Sequence, residues 1–113
     1  MTGRSHSSRK SEEMDAFESL LEKDYLLLLD FDDAVESFDV QPVRIPVTGV
    51  ARGYVPDVLV KYRPDIETGE IRKPVLAEVK RSDYLEKHAA KYAPKFAAAV
   101  AYAENMGWEF RPV

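Results

Sequence analysis

Two short apolar segments each carry an acid where an apolar residue would be expected. In Val55-Pro56-Asp57-Val58-Leu59-Val60, Asp57 shares a face with Val55 and Leu59 if the segment is extended. In Leu76-Ala77-Glu78-Val79-Lys80, Glu78 and Lys80 are two apart and point to one face, with Val75, Ala77 and Val79 on the other, core-facing side. If the two segments are neighbours in a sheet, Asp57, Glu78 and Lys80 converge. Paired carboxylates are hard oxygen ligands for Mg2+, with Mn2+ as a substitute. Such an ion activates water and stabilises a transferring phosphoryl group, while a lysine orients the water or offsets the developing charge. These are the parts of a metal-dependent phosphodiesterase. The competing reading is a solvated sheet face with alternating charges. An unpaired carboxylate inside an apolar strand is costly, which favours the functional reading of Asp57.

A third acid could come from Glu18 or Glu22, which are four apart and lie side by side on one helix, where a solvated helix face is the competing reading. Lys87, Lys91 and Lys95 recur every four residues after Lys80 and Arg81, spacing that could track a phosphate backbone or simply form a solvated helix face. Arg52, just before the Asp57 segment, is a further phosphate-facing candidate, and Gln41 could orient the site or touch DNA, or be structural. Tyr54 reads as core. His88 reads as a surface residue.

The elements around these residues follow from periodicity. Residues 1–13 are polar and basic with almost no apolar side chain, and are expected to be a flexible arm ahead of a domain at 14–113. Met14, Phe17, Leu21 and Leu28 fit one face of a helix whose start holds Asp15 and Glu18 and which stops near Asp30 to Asp33. Val35 to Val47 reads as one strand or two, broken by Pro42 and Pro46. Tyr54 to Tyr62 and Pro74 to Lys80 read as an antiparallel hairpin, and the stretches 46–53 and 63–73 look like loops. Asp83 and Glu86 form a candidate capping box before a long Ala-rich helix that Pro94 should kink or split. Phe96, Val100, Tyr102 and Met106 would be its apolar stripe, Gly107 its stop, and Trp108 to Val113 a last strand with Trp108 and Phe110 inward. A right-handed crossover makes that strand parallel to a neighbour. The expected fold class is α/β, a sandwich around a central mixed sheet of about four or five strands.

Composition narrows the chemistry further. The chain has 113 residues, a single-domain length, and no cysteine, which removes disulfides, thiolate zinc sites and thiol nucleophiles. Its formal net charge is −4, unlike a nucleic-acid coat but compatible with an enzyme that has one local basic face. No apolar run approaches the ~20 residues that span a bilayer, and the first residues lack an apolar signal core, so no membrane association and a cytoplasmic location are expected.

The ordered segments Ser19-Leu20-Leu21-Glu22, Val40-Gln41-Pro42, Tyr54-Val55-Pro56-Asp57-Val58-Leu59-Val60, Val75-Leu76-Ala77-Glu78-Val79-Lys80, Pro94-Lys95-Phe96 and Gly107-Trp108-Glu109-Phe110-Arg111 resemble the PD-(D/E)xK nuclease superfamily. Their order is closer still to the catalytic N-terminal domain of TnsA-type transposon endonucleases, over nearly all of residues 14–113. The resemblance implies a restriction-endonuclease-like sandwich and a Mg2+-dependent endonuclease that cuts a DNA phosphodiester at a mobile-element end. It carries the helix glutamate onto Glu22, with Glu18 in reserve, the strand aspartate onto Asp57, the second metal-proximal position onto Glu78 and the lysine onto Lys80. Asp57, Glu78 and Glu22 would hold the metal, and Lys95 would lie toward substrate. Implied partners are double-stranded DNA, a DDE-type transposase subunit and a transposition regulator, with a homodimer also open. TnsA-type subunits usually carry a further C-terminal domain, whereas the chain given ends at Val113. Two other readings therefore stay open: a stand-alone phage, repair or restriction-type nuclease of the same fold, and a non-catalytic DNA-binding assembly module.

Overall fold

A computed structural model describes the backbone of residues 6–113, with side chains described at Glu13 and from Ala16 onward. The elements are α1 (His6–Phe31), β1 (Val35–Val40), β2 (Ile45–Val47), β3 (Val50–Tyr54), β4 (Val58–Tyr62), β5 (Val75–Glu78), α2 (Ser82–Lys87), α3 (Ala89–Met106) and β6 (Glu109–Pro112). The central sheet has the order β1-β4-β5-β6. β1 and β5 run antiparallel to β4, and β6 runs parallel to β5, as the crossover through α3 requires. The fold is the expected α/β sandwich with a mixed sheet flanked by helices.

Both faces of that sheet are covered. Val58, Val60, Val75, Ala77 and Val79 face α1, meeting Leu29, Leu21, Tyr25 and Leu26. Leu59 and Leu76 face the other way, onto Ile45, Tyr54, Ala99, Phe96 and Phe110. The sequence reading gave β5 a single core face. Instead every residue of β5 is buried, which takes Glu78 inside with Leu76.

Several boundaries differ from expectation. α1 begins at His6, earlier than the helix start read from the sequence, and residues 1–5 lie outside the described residues. Arg9, Lys10, Glu12 and Glu13 are good helix formers, and a helix nucleated by its packed half extends into them at little cost. Asp15 and Glu18 are consequently in mid-helix, not at its start. The inward face of α1 is Leu21, Tyr25, Leu26 and Leu29, while Phe17 and Leu28 are exposed. Apolar residues nearly encircle the helix from Phe17 to Phe31, so periodicity could not fix its rotation.

Residues 46–53, expected as a loop, belong to a β2–β3 hairpin that pairs Ile45 with Tyr54 and Val47 with Val50. This arm packs Ile45 and Tyr54 against α3. The Asp83–Glu86 capping box does not form: Arg81 is the N-cap of α2 and makes no side-chain cap bond. The long helix breaks at His88 rather than at Pro94, which sits inside α3. There Pro94 removes one intrahelical donor early in the helix, while the backbone of His88 leaves helical geometry altogether. The buried residues of α3 are Tyr92, Ala99 and Ala103, with Phe96 and Tyr102 beside them; Val100 and Met106, expected in the stripe, are exposed. Gly107 closes the helix in the left-handed conformation, as expected. No helix among the described residues is long and apolar enough to cross a membrane.

Candidate functional site

Asp57 occupies the residue before β4, after Pro56 and the β3 arm. Its backbone is tied on both sides. The Asp57 N–H donates to the carbonyl of Ala77 at 3.1 Å, and its own carbonyl accepts from the Gln41 N–H at 2.8 Å. Gln41 reaches that position with a left-handed φ of 47°, the one positive-φ residue other than glycine among the described residues. Gln41 thus ties the turn out of β1 to Asp57 through its backbone. The Asp57 side chain is fixed as well, with Oδ2 accepting from the Val79 N–H at 2.7 Å.

Val79 follows Glu78, the last residue of β5, so the same bond brings the two acids together across the sheet. Glu78 is 4% exposed and is the one buried charged residue among those described. Burial raises its pKa first, and the neighbouring Asp57 carboxylate adds to the rise, taking it up to about 8; Lys80 acts in the opposite direction. Like charges this close cannot both ionise cheaply, so the retained proton belongs to the Asp57–Glu78 pair. Glu78 Oε1 has no hydrogen-bond partner, and neither does the buried hydroxyl of Tyr54. The two groups face one another closely enough for Glu78 to hold the Tyr54 hydroxyl protonated, although burial is the larger cause.

Lys80 lies just past the end of β5, with Nζ 4.0 Å from Glu18 Oε2 on α1. Both oxygens of Glu18 are buried and lack hydrogen-bond partners. Glu22, one turn on, has its carboxyl raised above the usual range by burial first and by Asp57 second, with Lys80 opposing. Both acids of α1 therefore feel the same centre, and Glu18, held in reserve in the sequence reading, is the one in reach of the lysine. Asp57, Glu78, Lys80 and the α1 acids gather where β4 begins and β5 ends.

In the lysine row, Lys91 and Lys95 place their ammonium groups 5.7 and 5.5 Å from the ring centroid of buried Tyr92. Burial raises the Tyr92 hydroxyl, with Tyr84 next and the charges of Glu78 and Asp57 among the smaller causes. Arg81 pairs with Asp83 at 3.0 Å, and Lys87 lines a neighbouring cavity. Arg52 lies apart, exposed on the β3 arm, where its carbonyl accepts from Arg44 at 2.6 Å. His88, expected at the surface, is half-buried and packed against Tyr84. Tyr54, read as core, is buried core and also borders Glu78, while Tyr92 was not singled out from the sequence. Nothing in their spacing distinguishes them from core.

Residues 32–113 match the family model described as TnsA-like endonuclease N terminal. The chain belongs to this TnsA-like family. No curated protein and no solved structure matches it. The matched stretch of this TnsA-like domain contains Asp57, Glu78, Lys80 and the lysine row. It starts after α1, so Glu18 and Glu22 lie outside it and rest on the geometry described above.

The donor chemistry suits a hard divalent cation. Glu78 and Glu18 each have buried carboxylate oxygens without a hydrogen-bond partner, Glu78 beside the Asp57 carboxylate and Glu18 beside Lys80, and a cation would favour the ionised form of the Asp57–Glu78 pair. Among the described residues, no three acidic or imidazole side chains form a ready-made cage. Mg2+ does not require one, since it commonly binds through one or two carboxylates and keeps waters or substrate phosphate for the remaining positions.

Proposed function

We propose that this chain is a divalent-metal-dependent DNA endonuclease, acting as the TnsA-type subunit that cuts a DNA phosphodiester at the end of a mobile element together with a separate DDE-type transposase. The observation that carries the reading is the Asp57–Glu78 pair: two carboxylates joined across β4 and β5, one buried with an unpartnered oxygen. Two acids this close repel when both are ionised, and a bound divalent cation would relieve that repulsion.

Asp57 and Glu78 would hold Mg2+ or Mn2+, with Glu22 or Glu18 approaching from α1. Bound there, the ion supplies Lewis-acid stabilisation of charge on the phosphoryl oxygens. The Val79 N–H keeps Asp57 from swinging away from Glu78. Lys80, held toward α1 by Glu18, stands where it can orient a water for attack or offset charge on the phosphate. Lys87, Lys91 and Lys95 supply non-specific affinity for the DNA backbone.

The test is calorimetric binding of Mg2+ or Mn2+, with duplex DNA present, followed by cleavage of end-containing DNA with and without the transposase subunit. Wild type should bind the ion and Asp57→Asn should not, and cleavage should vanish in Asp57→Asn and Lys80→Met. Cleavage by the pure chain would favour a solitary nuclease, and cleavage only with the transposase would favour the heteromeric role. Equal metal binding by wild type and Asp57→Asn would sink the nuclease reading. DNA binding that survived Asp57→Asn and depended on Lys87, Lys91 and Lys95 would then favour an assembly module.

A further inference from the structure

Next in the chain to Glu18 and Lys80 lies a cavity of about 250 Å3, lined by Phe17, Arg81, Asp83, Tyr84, Lys87 and His88. It adjoins the centre along both chain segments. Phe17 precedes Glu18, and Arg81 follows Lys80, the two residues whose charged groups stand 4.0 Å apart. One wall is a cation–aromatic layer, with the Arg81 guanidinium 5.1 Å from the centroid of the Phe17 ring. Asp83 holds the same guanidinium at 3.0 Å. Another wall is the Tyr84 ring against His88, with centroids 4.4 Å apart and the planes tilted by 41°. Lys87 adds a flexible cation.

This lining has a specific chemical preference. Flat rings and a guanidinium plane offer stacking surfaces, and the neighbouring cations attract phosphate. Together these are what single-stranded nucleic acid is held by. The volume is below the ~300–1,000 Å3 range of drug-sized ligand sites and suits one base with its sugar. A base still stacked in a duplex cannot reach such a pocket. It must be unpaired or turned out of the helix.

Resting on the nuclease reading above, we propose that the Phe17–Arg81–Tyr84–Lys87–His88 cavity is a nucleotide subsite that takes one unpaired base next to the phosphate being cut. Tyr84, His88 and Phe17 supply the stacking faces. Lys87 holds the flanking phosphate, while Arg81, paired with Asp83, keeps its plane against Phe17 as a further stacking surface. The one-residue offsets from Lys80 and Glu18 place the subsite next to the reacting phosphodiester.

The experiment compares affinity for a short oligothymidylate and for a fully paired duplex, with Ca2+ replacing Mg2+ to prevent cutting. The proteins are wild type, Phe17→Ala, Tyr84→Ala, Tyr84→Phe and His88→Ala, each first checked by circular dichroism. Phe17→Ala and Tyr84→Ala should weaken oligothymidylate binding about tenfold and change duplex binding less than about threefold, while Tyr84→Phe keeps wild-type affinity. Phe17 is nearly half exposed, so its substitution tests the pocket even if Tyr84→Ala does not fold. Wild-type oligothymidylate affinity in Phe17→Ala and His88→Ala would overturn the subsite while leaving the nuclease reading intact. So would an equal loss on duplex and single strand. A wild type that bound neither DNA would overturn both.

Discussion

The carboxylate of Asp57 accepts a hydrogen bond from the main-chain N–H of Val79, the residue that follows Glu78 in the chain. One bond thereby fixes the acid of β4's leading edge against the end of β5 and sets the spacing of the two carboxylates. Asp57 has a structural duty separable from its proposed chemical one. Asp57→Asn keeps an oxygen that can accept from Val79 and removes the charge, so its stability should stay within about 1 kcal/mol of wild type. Asp57→Ala leaves that N–H without a partner and should lose about 1–3 kcal/mol. Urea unfolding distinguishes the two, and both should abolish cleavage. A cleaving Asp57→Asn protein would remove Asp57 from the chemistry.

Glu78 makes a pH prediction with a definite sign. Its folded pKa is raised from 4.5 to about 8 by burial and by Asp57. The native state therefore holds a proton that the unfolded chain has lost between those two values. Its stabilising contribution is fully present below about pH 4.5 and disappears as pH rises through about 8. Metal-free protein should melt higher at pH 6 than at pH 9, by about 5 °C or more. Glu78→Gln, which cannot ionise, should flatten that difference. A divalent cation should reverse the trend at high pH, because it favours the ionised pair. An identical pH profile in Glu78→Gln would show that the buried carboxyl is not the source.

How much of this was legible in the sequence differs from residue to residue. Asp57, Glu78 and Lys80 could be read because they punctuate two apolar strands joined by an obvious turn, and hairpin neighbours must lie together. The burial of Glu78 could not, since alternation fixes parity but not whether a second layer covers the far face. That layer comes from α3 and from the β2–β3 arm, which Pro46, Gly49 and Gly53 disguised as a loop. The choice between Glu18 and Glu22 depended on the rotation of α1, and a helix apolar nearly all round carries no such information. His88, not Pro94, ended α2, because proline early in a helix forfeits only one bond while the chain must still change direction to reach α3.

The α1 acids lead to a paired test. Glu18 stands 4.0 Å from Lys80, and Glu22 feels Asp57 more than it feels the lysine. Glu18→Gln should lower the cleavage rate by loosening Lys80 while leaving metal affinity within about twofold, less than 0.5 kcal/mol. Glu22→Gln should weaken metal binding instead. Calorimetry and single-turnover cleavage on both variants assign the roles. The opposite pattern would exchange them.

Gly53 gives a stability prediction for the arm that carries Tyr54 to Glu78. It has φ +65°, and a Cβ built there would sit 2.4 Å from the carbonyl oxygen of Ile45. Gly53→Ala meets both the left-handed penalty of about 1–2 kcal/mol and a backbone clash that no side-chain movement relieves. Gly69 has a similar φ of +71° with open space around it, so Gly69→Ala meets the first cost alone. Gly53→Ala should lower Tm clearly more than Gly69→Ala. Equal effects would mean the β2–β3 pairing is looser than described.

Lys87, Lys91 and Lys95 can be tested without knowing the DNA sequence that is cut. Lys91 and Lys95 both place their ammonium groups near the Tyr92 ring, at 5.7 and 5.5 Å from its centroid. Each lysine that neutralises a phosphate contributes about 0.9 to the slope of log affinity against log salt on duplex DNA. Replacing all three with alanine should reduce that slope by about 2–3 and weaken binding uniformly across unrelated duplexes. Metal affinity of the acids, measured without DNA, should be little changed if the lysines serve the DNA backbone as proposed. A triple variant with the wild-type salt slope would show that DNA crosses the site by another path, and the exposed basic residues of the β2–β3 arm, Arg44 and Arg52, would be the next to replace.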